Sequence, residues 1–157
     1  MIGLHPVTNY IPLTPETFFT ARQFVLDRWR ARARELGRPE PLDLSRACLF
    51  ASLFAYQVFG GTLQGNRFHQ YTIKSGHLID LTIGSEDLQR LREAGIDPHE
   101  HDPRWWANPV HLEAMTSCLP RVERWVEEFL MEMNAGDGEF QPPQFSEPNR
   151  DLNSYRR

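Results

Sequence analysis

Cys48, His69 and Asp80 are the residues of this chain whose types and order could carry out nucleophilic chemistry. A cysteine thiolate attacks a carbonyl carbon, an imidazole moves the proton, and a carboxylate holds the imidazole in one tautomer. Cys48 falls in the first turn of an apolar segment with Ser45 as candidate N-cap. Unpaired backbone N–H groups and the positive end of a helix would then surround the sulfur and favour its nucleophilic form. The competing reading is a small hydrophobe in a core helix. The second cysteine, Cys118, lies beside Ser117 and Pro120 with no histidine-bearing strand after it, and reads as core.

A hairpin must bring the other two residues together. Phe68 to Ile73 and Leu78 to Thr82 are β-rich runs joined around Ser75-Gly76. A two-residue turn there sets Lys74 opposite His77, Ile73 opposite Leu78, Tyr71 opposite Asp80 and His69 opposite Thr82. His69 and Asp80 become diagonal neighbours on one sheet face. We expect a hydrogen bond from His69 Nδ1 to the Asp80 carboxylate. That face also carries Tyr71 and Ile73, and we expect it to pack on the Cys48 helix. The alternative is an edge histidine bonded to a structural aspartate.

Cys48 at a helix start, Phe59-Gly60-Gly61 at that helix's end, His69 on a strand and Ile79-Asp80-Leu81-Thr82 on the next resemble the YunG-like branch of the papain-like and transglutaminase-like cysteine hydrolase superfamily. The resemblance covers roughly residues 45 to 90. It implies a Cys-bearing helix packed on an antiparallel sheet that carries His and then Asp, and chemistry at amide bonds: hydrolysis, deamidation or acyl transfer. Residue by residue, it implies Cys48 as nucleophile, His69 as base and Asp80 as the orienting group. Gln70-Tyr71-Thr72 lacks the Asn expected after the histidine, and no aromatic directly follows Cys48.

The elements around this constellation follow from capping and periodicity. Thr14-Pro15-Glu16 starts a helix with Thr14 as N-cap and Pro15 at the first position, and Gly37 and Pro39 end it. Phe18, Val25, Trp29 and Leu36 form its apolar stripe. Arg28, Arg30, Arg32 and Arg34 scatter around it as a solvated face. The helix from about Ser45 to Val58 is nearly all apolar and should be the buried central one. Leu88 to Ala94 reads as a short helix. Pro109 to Asn134 reads as a helical cover, interrupted or restarted at Pro120. The fold class is α+β: a central Cys-bearing helix on a small antiparallel sheet, with N- and C-terminal helices. We expect an extended arm over 1–14, one domain over 15–135 and a flexible tail over 136–157.

Trp105 and Trp106 could wall a substrate cleft, although such pairs also serve packing. His99-Glu100-His101-Asp102 carries metal-binding residue types, but a closed site needs three or four convergent ligands, so we expect an exposed loop and no metal. No cofactor is implied. Among 157 residues, 17 basic against 21 acidic side chains give a net charge of −4, which argues against nucleic acid as partner. A peptide or protein substrate or partner fits better. The start of the chain lacks a signal-peptide pattern and no run approaches the roughly 18 apolar residues of a membrane span, so a cytoplasmic protein without membrane contact is expected. The reading opposed to an enzyme is a non-enzymatic binding, adaptor or immunity-type protein that keeps the fold.

Overall fold

The computed structural model describes residues 10–134. The expected tail over 136–157 and residues 1–9 of the expected arm lie outside that range. The element order is α1 (Pro15–Glu35), α2 (Cys48–Phe59), β1 (Thr62–Gly65), β2 (Gln70–Lys74), β3 (His77–Ile79), α3 (Glu86–Glu93), α4 (Pro103–Trp106) and α5 (Pro109–Asn134). The three strands form one antiparallel sheet in the order β1-β2-β3. This is an α+β fold. No described helix is long and apolar enough to cross a membrane.

Local signals account for the helix ends. Thr14 caps α1 in a reciprocal capping box, its side chain accepting from the Thr17 N–H while Thr17 Oγ1 accepts from the Thr14 N–H. Just before α1, the Ile11 N–H donates to the Val58 carbonyl at 2.9 Å. Gly60, with φ +83°, ends α2. In contrast to the expected break, α5 runs through Pro120 without interruption. Its apolar face, including Val122, Trp125, Val126 and Phe129, is buried against α1 and α2, and that packing outweighs the backbone hydrogen bond that proline removes.

Helix α2 is the centre of the core, packed on α5 on one side and β2 on the other. Aromatic contacts join the three long helices. Phe24, Phe54 and Phe129 meet pairwise at ring separations of 5.7, 5.3 and 5.2 Å, and Trp29 and Trp125 flank Phe50 at 5.2 and 5.5 Å. The arginines of α1 brace this layer as well as facing water. Arg28 bonds to Glu128 of α5, Arg32 lies over Trp29 and Phe50, and Arg30 donates to the Pro41 and Leu42 carbonyls.

The hairpin has the expected two-residue turn. Ser75 and Gly76 both have positive φ, +51° and +77°, as a type I′ turn requires, and Lys74 pairs with His77 and Ile73 with Leu78. Both strands are shorter than expected: His69 immediately precedes β2 and Asp80 immediately follows β3. Strand β1 and the single-turn α4 were not legible, because neither Thr62-Leu63-Gln64-Gly65 nor Pro103-Arg104-Trp105-Trp106 is long enough to show a period.

The face of β2 turned to α2 is the opposite of the one expected. Gln70, Thr72 and Lys74 share that face, and each reaches α2: Gln70 the Cys48 sulfur, Thr72 the Ser52 carbonyl at 3.1 Å, and Lys74 the Phe59 carbonyl. Tyr71 points the other way, donating to the His99 carbonyl at 2.8 Å. The inversion is stable because the polar seam is satisfied and Tyr71 on the other face is buried and bonded to the 95–102 loop through the His99 carbonyl.

Close approach at the sheet's edge depends on Gly61, where an added Cβ would lie 2.4 Å from the Ile73 carbonyl oxygen, with φ at +99°. Gly61→Ala is expected to destabilise the fold by about 2–4 kcal/mol, combining left-handed strain with overlap against backbone. Gly37→Ala, where φ is +66° and nothing lies within 4 Å, should cost only about 1 kcal/mol. Urea denaturation of both variants measures the difference.

Candidate active site

Cys48 is the first residue of α2, so its backbone N–H has no partner within the helix. Ser45 does not cap that helix. Arg46, with φ +67°, turns the chain, and Ala47 occupies the N-cap position without a side-chain bond. Ser45 Oγ instead accepts from the Asp87 N–H at 3.2 Å, while Asp43 Oδ2 accepts from the Glu86 N–H at 2.9 Å. Together they cap α3 from a distance. Asp87 returns a bond to the Arg46 N–H at 2.9 Å, which fixes the approach to Cys48. Burial works against the Asp43 carboxylate, but its bonds to Glu86 and Ser45 outweigh this and hold its pKa below the ordinary value.

The Cys48 sulfur has two polar neighbours. Its S–H donates to Gln70 Oε1 at 3.0 Å, and it lies near enough to the His69 ring to raise that ring's pKa. Gln70 is held in that orientation because its Nε2 donates to the Asn66 carbonyl at 3.0 Å. His69 is 1% exposed, and its Nε2 lies 2.7 Å from Asp80 Oδ2. The pairing of His69 with Asp80 is therefore as expected, but through Nε2 instead of Nδ1. His69 lies just before β2 and Asp80 just after β3, so the outer ring nitrogen is the one that spans the gap between them.

Asp80 is buried and fully hydrogen-bonded. Its Oδ1 accepts from the Thr82 N–H at 2.9 Å and the Thr82 hydroxyl at 2.6 Å, and its Oδ2 is shared by His69 Nε2 and His99 Nε2, each at 2.7 Å. Burial alone would raise the Asp80 pKa; the bonds from His69, His99 and Thr82 outweigh it and hold the carboxyl well below the usual carboxylate range. For His69, burial pushes the other way, yet the hydrogen bonds and negative charges of Asp80 and Cys48 raise it to about 10.

Sequence reasoning missed two parts of this site. One is His99, whose loop is expected to be exposed but whose ring turns inward to Asp80. The other is Asn66. Its Oδ1 accepts from the Phe68 and His69 N–H groups at 2.8 and 3.1 Å, and its Nδ2 donates to the Pro98 and Glu100 carbonyls at 3.1 and 2.8 Å. One buried amide thus holds the backbone at His69 and the loop on both sides of His99. Asn66 between Gly65 and Arg67 looks in sequence like ordinary turn chemistry. His69, Asp80 and His99 are metal-binding residue types with converging atoms. Their 2.7 Å separations are those of proton-bridged pairs and shorter than the spacing of neighbouring ligands around an ion.

Trp105 and Trp106 both pack on His111, at ring separations of 5.5 and 4.6 Å, and Trp106 also meets His101 at 5.9 Å. The helix that carries them, α4, packs beside β1 and α5. The Asp102 N–H, at the start of α4, donates to the Gly65 carbonyl at 2.8 Å, and Gly65 is the register partner of Gln70. His77 is exposed at the start of β3, and Cys118 is buried, which pushes its thiol pKa up. Searches of family models, curated proteins and solved structures find no match to this chain.

The His69–Asp80 pair gives stability a defined pH dependence. The Asp80 contribution is present above the unfolded carboxylate value of about 3.9 and is lost as pH falls toward the depressed folded one. The His69 contribution is complete below the unfolded imidazole value of about 6.5 and is lost as pH rises through about 10. The stability difference between wild type and Asp80→Asn should therefore be greatest between about pH 4 and 6.5, at about 3–5 kcal/mol, and shrink on both sides. Urea melts of the two proteins across this range test the shape.

Proposed function

We propose that this protein is a thiol-dependent amide-bond hydrolase, deamidase or acyltransferase of papain-like or transglutaminase-like type. Cys48 is the nucleophile, His69 the proton carrier and Asp80 the orienting group. The observation that carries this reading is the continuous polar path from a half-buried sulfur, through a histidine withdrawn from water, to a carboxylate with every acceptor site used. Its direction supports a reactive thiol, because the only member near the surface is the one that must meet a substrate.

In this mechanism the Cys48 S–H proton passes to His69, the thiolate attacks the amide carbon, an S–C bond forms, and the carbonyl electron pair moves to oxygen. The Cys48 backbone N–H, unpaired at the helix start, is the donor proposed for that oxyanion. Collapse breaks the C–N bond as His69 gives its proton to the departing nitrogen. A His69 pKa near 10 supports this role, since the ring carries that proton at neutral pH. Water or an acceptor amine then attacks the thioester, its proton passing to His69 as the thiolate leaves. Trp105 and Trp106 are the proposed apolar wall for a peptide or protein substrate. No cofactor takes part in these steps.

One observation favours the alternative, a non-enzymatic binding protein: Gln70 Oε1 already accepts the Cys48 S–H, as an acceptor beside a structural thiol would. Alkylation separates the two readings. With iodoacetamide at pH 6 to 7, Cys48 should react about tenfold or more faster than Cys118, and His69→Ala should remove most of that advantage. His77→Ala should leave it intact, and Asp80→Asn should fall between. Mass spectrometry of the two cysteine peptides reads the rates; equal, slow labelling of both in the folded protein would leave the binding protein.

A further inference from the structure

Asp80 Oδ2 receives two imidazoles at the same distance, and they differ in situation. His69 is 1% exposed and partners the sulfur, whereas the His99 side chain is 16% exposed and belongs to the loop over residues 95–102. That loop holds His99 from several directions. The His99 N–H donates to Asp97 Oδ1 at 2.9 Å, its carbonyl accepts from the Tyr71 hydroxyl, and Asn66 clamps the carbonyls of Pro98 and Glu100 on either side. The His99 ring meets Tyr71 edge-on at 5.1 Å and His69 at 5.5 Å. So many restraints fix the Nε2–H on an oxygen that His69 already uses.

We infer that His99 is a positioning residue that divides the charge of Asp80 and so sets how strongly the carboxylate acts on His69. This deepens the proposed function and rests on it for its catalytic meaning, but the electrostatic claim stands on the His–Asp–His geometry alone. A carboxylate offers about four acceptor sites, and here all are taken. A second N–H on Oδ2 draws electron density from the bond to His69, and a proton on His99 would add repulsion between the two rings. Both act in one direction: His99 weakens the hold of Asp80 on the His69 proton. The groups facing His69 are Asp80 after β3, Cys48 on α2, Tyr71 on β2 and His99 on the loop, with Asp97 and Glu100 of that loop acting on Tyr71. A proton held less tightly is more easily given to a departing nitrogen.

The test is the titration of His69, read from its ring signals by NMR in the full chain carrying Cys48→Ala, which removes the contribution of the sulfur. His99→Phe keeps a ring of similar size and loses the donor; His99→Gln loses the ring and keeps an Nε2–H. The His69 midpoint should rise by about one unit in His99→Phe and stay within a few tenths of the parent in His99→Gln. If His99→Phe fails to fold, His99→Leu replaces it, with the same upward shift expected. An unmoved midpoint without the donor, or equal shifts in the Phe and Gln variants, would overturn the inference and reduce His99 to ring packing. Since Cys48 is absent, this outcome is independent of whether Cys48 labels faster than Cys118, which tests the proposed function.

Discussion

A carboxylate withdrawn from water is the constraint around which this structure is arranged. Leaving the Asp80 charge buried without partners would cost several kcal/mol, and its four hydrogen bonds come from Thr82, His69 and His99. These donors bind three segments at one point: the turn after β3, the residue entering β2, and the loop before α4. The short sheet consequently ends in a polar knot instead of fraying. The same knot fixes the imidazole of His69, so stability and the proposed chemistry draw on one set of bonds.

Asn66 performs for the backbone what Asp80 performs for the side chains. Its amide satisfies the N–H groups of Phe68 and His69 on one side and the carbonyls of Pro98 and Glu100 on the other, and its own carbonyl fixes Gln70. The bonds to the His69 N–H and the Pro98 carbonyl are buried, so removing the amide would leave that donor and that acceptor without a partner. Gln70, in turn, presents an acceptor to the Cys48 sulfur. The sulfur thus has two places for its proton, the amide oxygen and the imidazole, and the proposed reaction uses the second.

The seam between α2 and β2 explains how the sulfur reaches His69 although Tyr71 faces away from the helix. Ala51 and Ala55 are buried on α2, Gly61 lets the chain pass close to Ile73, and Thr72 satisfies the Ser52 carbonyl. The strand therefore sits near the helix, with Gln70 beside the helix start. His69, just outside the ladder, holds Asp80 through Nε2 on the side of the hairpin that alternation assigns to both.

Several features were encoded within a few residues of chain and so were legible without the fold. Thr14-Pro15 as a helix start, Phe59-Gly60-Gly61 as a helix end and the Ser75-Gly76 turn each rest on local dihedral preferences and short-range bonds. Once the turn length is known, alternation puts His69 and Asp80 on one face. What alternation does not decide is which face meets the helix: Tyr71 and Ile73 share one face of β2, yet the polar face of Gln70, Thr72 and Lys74 is the one that packs on α2. That choice, the use of Nε2, the inward turn of His99, the capping of α3 by Asp43 and Ser45, and the two-sided role of Asn66 all depend on contacts between residues 11 to 43 positions apart. Such contacts are selected by the combined burial and hydrogen-bond satisfaction of the whole domain, and a local pattern carries no record of them.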